Sequence, residues 1–262
     1  MSKLRASLTA IINSENEDSI NYRVAYYLLK NNYIINRISI QDIANNCYCA
    51  KSTISRFCHQ LGYTDFYQLN QDLYISTSKN ENKFNYYIEG SYNENKSKYF
   101  NDLYTCLKFA EDNIKEEDVN LLVEDLLKYR NIGIFGKLQS QSVAELFQSD
   151  LGLCRKIITA STLPNNQKIF IKNATENTLI IIVSSSGAYF RNYIELSKYP
   201  KNKKPKFYLI TANEKMFNSN LYDKVIYLPS NKNYASQPRI IDLFLNIVAI
   251  NYAKHAFNKI IR

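Results

Sequence analysis

The segment ISIQDIANNCYCAKSTISRFCHQLGYTDFYQLN (residues 38–70) decides how this chain is read. Ser39 stands where an N-cap is needed, ahead of a short helix carrying Ile40, Ile43 and Ala44, and the small Ala44 lets a second helix cross closely over it. A tight turn, Cys47 to Ala50, leads to that second helix. There Ile54, Phe57, Cys58 and Leu61 recur at i, i+3, i+4 and i+7, which is the spacing of one buried face, and Gly62 supplies the stop. The opposite face carries Lys51, Ser52, Thr53, Ser55, Arg56 and His59, with no Asp or Glu anywhere between Ile43 and Thr64. Two helices at this spacing, the second with a polar and acid-free face, make a helix-turn-helix whose recognition helix can enter the major groove of DNA. Arg and Lys can hydrogen-bond guanine there and hydroxyls are versatile, so Lys51, Ser52, Ser55 and Arg56 are the expected readers. Thr53 is expected to contact phosphate or close the helix start.

Working outward, helices are expected at residues 3–12, 20–30, 39–46, 52–61 and 65–76, the last with Phe66, Leu69 and Leu73 at i, i+3 and i+7. This is an all-helical domain over 1–76. From Thr77 to Lys98 the composition turns to Lys, Asn, Glu, Ser and Tyr without apolar periodicity, the mark of a linker. Residues 99–262 form the second domain. Two helices near 98–113 and 116–129 come first, followed by short apolar strands at 132–135, 156–160, 179–184, 207–211 and 224–228 that alternate with stretches long enough for crossover helices. That rhythm belongs to an α/β domain with a mainly parallel sheet covered by helices on both faces. A long apolar helix, 238–256, closes the chain.

Composition bounds the function. With 45% hydrophobic and 22% charged residues in a 262-residue chain, two ordinary packed cores are expected. Apolar runs such as 178–183 and 243–250 are far shorter than the ~20 residues of a membrane span, and no secretory leader is read at the N-terminus, so a cytoplasmic location is expected. Five cysteines at irregular spacing make no disulfide framework. Cys47, Cys49, Cys58 and His59 lie near one another, but a Cys-x-Cys start fits no ordinary zinc spacing, so core packing is expected and neither metal nor cofactor. The net charge of +9 points to an anionic partner, yet it is unevenly placed: residues 1–78 carry only +1 and residues 102–262 carry +7. The basic run Lys198, Lys201, Lys203, Lys204 and Lys206 is read as a solvated loop.

Two turns in the second domain can hold an anion. In IGIFGKLQS (132–140) a strand runs through Gly136 into a helix starting near Gln139, where backbone amides and the Ser140 hydroxyl converge. In VSSSG (183–187) a second strand ends on Ser184, Ser186 and Gly187 before another expected helix. Such turns at strand C-termini are where α/β folds place ligands; they are also common turn and cap residues.

Both halves resemble the RpiR family of bacterial regulators. The match rests on Ser39, Ile43, Ala44, Ser52 to Cys58 and Leu61 to Tyr63 in the first domain. It extends into the second, where Gly136, Ser140, Ser184, Ser186 and Gly187 match the turns of the sugar-isomerase-type (SIS) domain. The resemblance implies a transcriptional regulator with a double-stranded DNA operator, a phosphorylated-sugar effector and a homodimeric or larger assembly. Five departures stand out. Ala50 replaces a common capping Ser, leaving Ser52 or Thr53 to cap, and Tyr48 occupies the tight turn. Leu138 replaces the second glycine of the first phosphosugar turn, and Ala188 and Tyr189 replace the usual Glu and Thr or Ser of the second. Those last departures leave open a regulator whose SIS domain is degenerate and serves only for dimerisation. A sugar-phosphate isomerase is the remaining alternative, but the two histidines, His59 and His255, lie outside the turns, and Glu145 and Glu195 read equally as surface carboxylates, so no enzyme activity is expected.

Overall fold

The computed structural model describes residues 3–31, 38–78, 89–187, 189, 204–229 and 238–258. They divide into two units, 1–82 and 83–262.

The first unit holds α1 (Lys3–Ser14), α2 (Ile20–Lys30), α3 (Ile40–Asn46), α4 (Lys51–Gln60) and α5 (Phe66–Ser78). Each helix contributes one apolar stripe to a single core: Leu4 and Leu8, Val24, Ala25 and Leu28, Ile43 and Ala44, Ile54, Phe57 and Cys58, and Leu69 and Leu73. Cys47 and Cys58 are buried in it, and desolvation pushes both thiols up to about 11, so they pack as small apolar groups.

The second unit opens with α6 (Tyr92–Asn113) and α7 (Glu116–Lys128). Helix α6 starts inside the stretch read as linker, because Ser91 and Glu94 close a capping box: the Glu94 backbone N–H donates to the Ser91 hydroxyl and the Ser91 N–H donates to Glu94 Oε2 at 2.7 Å. Then follow β1 (Asn131–Phe135), α8 (Gln139–Leu153), α9 (Pro164–Lys172), β2 (Thr178–Val183), β3 (Lys206–Thr211), β4 (Lys224–Tyr227) and α10 (Arg239–Asn258). The four strands form one parallel sheet in the order β1-β2-β3-β4, with Ile132 opposite Leu179, Ile180 opposite Phe207 and Leu209 opposite Val225. Alternation then sorts the side chains. Ile132, Ile134, Leu179, Ile181, Val183, Tyr208, Ile210 and Ile226 face α6, α7, α8 and α10, while Phe135, Ile180, Ile182, Phe207 and Leu209 face α9 and the turn residues Tyr189 and Tyr222. Helix α10 is long and apolar enough to cross a membrane by length and composition, but Ile240, Ile241, Phe244, Leu245 and Val248 are buried in this core.

Two expectations are corrected here. The strand expected at 156–160 reduces to one bridge, Gly133 with Thr159: Thr159 donates to Ile132 O and accepts from Ile134 N–H, at 2.9 and 2.8 Å. The Lys156 amide is spent on Leu151 O, closing the end of α8 through Arg155 at φ 58, so the chain runs alongside β1 too briefly to build a ladder. The basic run is not simply a solvated loop either. Lys206 lies 2.5 Å from the buried Asp125 carboxylate on α7, which also accepts from the Tyr208 hydroxyl, and Lys204 pairs with Asp223. Lys198, Lys201 and Lys203 lie outside the described residues.

Candidate functional site

The helix-turn-helix is built from its caps. The Ser39 hydroxyl and N–H both donate to Asp42 Oδ2, at 2.7 and 2.8 Å, and hold the Asp42 carboxyl below its ordinary range, while the Asp42 N–H donates back to Ser39 Oγ at 3.2 Å. Helix α3 closes with the Cys49 N–H on Ala44 O and the Tyr48 N–H on Asn45 O, which forces Tyr48 to φ 51. Ala50 is the N-cap of α4 and makes no side-chain cap bond, so neither Ser52 nor Thr53 caps; the start is held by backbone alone, Thr53 N–H on Ala50 O at 2.9 Å. The far end is fixed by Tyr63, whose N–H reaches Cys58 O and whose hydroxyl donates to Asp72 on α5. Burial and that carboxylate push the Tyr63 phenol upward.

With Ile54, Phe57 and Cys58 buried, α4 turns the opposite face to solvent. Lys51, Ser52, Arg56 and His59 are exposed, and Thr53 and Ser55 are half-buried beside them. Arg56 Nη2 lies 3.4 Å from Thr53 Oγ1, a long and solvent-exposed contact. His59 Nδ1 lies 3.0 Å from Tyr63 O, and a carbonyl can only accept, so Nδ1 carries the proton and that edge of the ring is committed to the helix end. The six residues expected to meet DNA are therefore on one helix, with Lys51, Ser52 and Arg56 the most outward. The Asp42 half of the capping box and the Tyr63–Asp72 bond escaped sequence reading; Asp42 stands three residues after Ser39, a spacing that could have revealed it.

In the second unit the two serine turns follow adjacent parallel strands. Gly136 comes after β1 and packs so tightly on the first turn of α8 that an added Cβ would lie 2.6 Å from the Ser140 carbonyl carbon. Ser140 is half-buried in that turn and its amide donates to Lys137 O. Ser184 is half-buried, its N–H on Ile210 O and its carbonyl accepting from the Gly187 N–H. Ser186 is exposed, and its carbonyl accepts from Asn213 Nδ2 at 2.9 Å. Gly187, at φ 71, leaves room for Met216 where a Cβ would fall 2.4 Å from Met216 Cγ. The helix expected after Gly187 lies outside the described residues, as does Ala188.

The departures have physical consequences. Leu138 adopts φ 56, ψ −125, a conformation glycine takes without cost and an L-side chain does not, because its carbonyl must accept from both Gln141 and Ser142 to start α8. Tyr189 is buried, its hydroxyl donating to Gln167 Oε1 at 2.6 Å and its ring 5.5 Å from Lys137 Nζ. Gln167 Nε2, on α9, shares its two hydrogens among Gly136 O, Gln141 Oε1 and Ser161 O, and Gln141 Oε1 accepts the Gly136 N–H at 3.0 Å. A buried network of two glutamines and a tyrosine thus ties the Gly136 turn to the turn after β2. Sequence reading missed it, since isolated glutamines carry no periodic signal.

Residues 8–80 match the model of the helix-turn-helix domain, rpiR family. Over 61 residues the chain is 30% identical to an uncharacterised helix-turn-helix-type transcriptional regulator of Caldanaerobacter subterraneus; the match spans 23% of this chain and only 22%, about a fifth, of that protein. Similar solved structures include the NanR protein of Vibrio vulnificus complexed with ManNAc-6P, at 16% identity and a TM-score of 0.48 over 98% of this chain and 96% of that one. Another is the sugar isomerase domain of an RpiR transcription factor from Sphaerobacter thermophilus, at 15% identity and a TM-score of 0.37 over 63% and 94%.

Proposed function

We propose that this chain is a DNA-binding transcriptional regulator that reads an operator through α4 and responds to a phosphorylated sugar held at the Gly136–Ser140 and Ser184–Gly187 turns. The observation that carries the reading is the outward, acid-free face of α4 with Lys51, Ser52 and Arg56 exposed in an rpiR-family helix-turn-helix domain. One such helix contacts few base pairs, so a two-fold homodimer on a two-fold operator is the assembly that fits. The effector half is supported by two hydroxyl-bearing turns on neighbouring strands and by the +7 charge of residues 102–262, which favours a phosphate dianion. A regulator shifts only by the difference in effector affinity between its two states. Calorimetry with hexose, pentose and amino-sugar phosphates, with and without operator DNA, therefore tests both halves. Ser184→Ala should weaken effector binding by about 1.5–3 kcal/mol, as for a hydrogen bond to a charged group, without unfolding the protein.

The Tyr189–Gln167–Gln141 network favours a second reading, in which the sugar site is closed and the second unit serves for dimerisation. Absence of binding across the whole panel, with operator binding intact, would select it. An isomerase has less support: Glu145 accepts a hydrogen bond from Gln141 Nε2 at 3.1 Å, His255 sits in the last turn of α10, and Glu195 lies outside the described residues.

A further inference from the structure

The turn between α3 and α4 carries an aromatic side chain in an unfavourable place. Tyr48 has φ 51, in the left-handed region that favours Gly or Asn. The backbone there is dictated by the helix end, through Cys49 N–H on Ala44 O, and not by the side chain. Packing does not compensate either, because Tyr48 is 88% exposed while Cys47 beside it is buried and Cys49 half-buried. A large apolar ring is therefore held in water, on a strained residue, two positions before the Ala50 N-cap and three before Lys51.

We infer that Tyr48 is a DNA contact, its phenol reaching the sugar-phosphate backbone next to the groove entered by α4. This deepens the operator-reading proposal above and rests on it. Tyrosine hydroxyls are among the side-chain groups that position proteins on phosphate oxygens and sugars. The segment from Ile43 to Thr64 contains no carboxylate to repel a phosphate. Since a tyrosine side chain carries no positive charge, its contact adds affinity without releasing a counterion, and this distinguishes it from Lys51.

The experiment compares the full-length wild type with Tyr48→Gly, Tyr48→Phe, Lys51→Ala and Arg56→Ala on an operator selected from random duplex DNA, by fluorescence anisotropy across a salt series, with thermal unfolding of each protein. Tyr48→Gly should lose about tenfold in affinity, keep the wild-type salt slope, and unfold at the same or a higher temperature because strain is relieved. Tyr48→Phe should share most of that loss. Lys51→Ala should lower the salt slope by about one. If Tyr48→Gly binds as tightly as the wild type while Arg56→Ala does not, the Tyr48 contact is wrong and the α4 reading stands. If Arg56→Ala and Lys51→Ala also bind normally, or no duplex is selected, both fail together. A Tyr48→Gly protein that unfolds earlier shows a structural role for the ring and overturns the contact.

Discussion

The two candidate sites handle their polar groups in opposite ways. On α4 the polar side chains stand outward, with Lys51, Ser52, Arg56 and His59 exposed. At the turns after β1 and β2 a buried set of polar groups is turned on itself: Gly136 N–H and Gln167 Nε2 both donate to Gln141 Oε1, and the Tyr189 hydroxyl donates to Gln167 Oε1. A surface made to meet a long polyanion can leave its donors in water, where they wait at no cost. A site within a core cannot, because a buried donor without an acceptor costs about as much as a lost hydrogen bond. The contrast teaches that the helix reads as a binding surface from its sequence alone, whereas the turns can be judged only with their buried partners in view.

Three substitutions can break or sharpen that contrast. The largest effect belongs to the open site. Arg56→Ala should cost roughly 1–3 kcal/mol per recognition helix, tenfold or more in operator affinity, with unfolding unchanged because the side chain is exposed. Footprinting at fixed salt checks it, and equal protection by the wild type, Arg56→Ala and Lys51→Ala would remove α4 from the DNA interface. The next effect belongs to the buried network beside the serine turns. Tyr189→Phe strips the partner from Gln167 Oε1 inside the core, so the protein should lose about 1–2 kcal/mol of stability while operator affinity stays unchanged. Denaturant titration measures this, and an unchanged midpoint would mean that the network is not closed as described. The smallest effect lies at the strained turn, where Leu138→Gly should stabilise by about 1 kcal/mol and clear a side chain from the start of α8. Improved sugar-phosphate binding in that variant would support the effector reading. A gain in stability without any binding would favour the closed one.

Much of the molecule was legible beforehand, for reasons that differ by element. Periodicity at 3.6 located α2 and α4 nearly to the residue, since Val24 and Leu28, and Ile54, Phe57 and Cys58, must share a face. Doubly buried strands announce themselves as continuous apolar runs, and LIIIV in β2 is the clearest. The segment at 156–160 looked similar, but a strand is defined by a partner's hydrogen bonds, and there only Thr159 exchanges a pair with β1.

What the sequence determined by itself was local: helix faces, Ser39 as a cap, Gly136 and Gly187 at tight turns, and an acid-free recognition helix, because each depends on neighbours a few positions apart. What only the tertiary structure decided was non-local: that Lys206 serves Asp125 across 81 residues, and that Tyr189, Gln167 and Gln141 close on the Gly136 turn. A buried polar group must find a partner wherever the fold brings one, and no spacing along the chain reveals which partner that is.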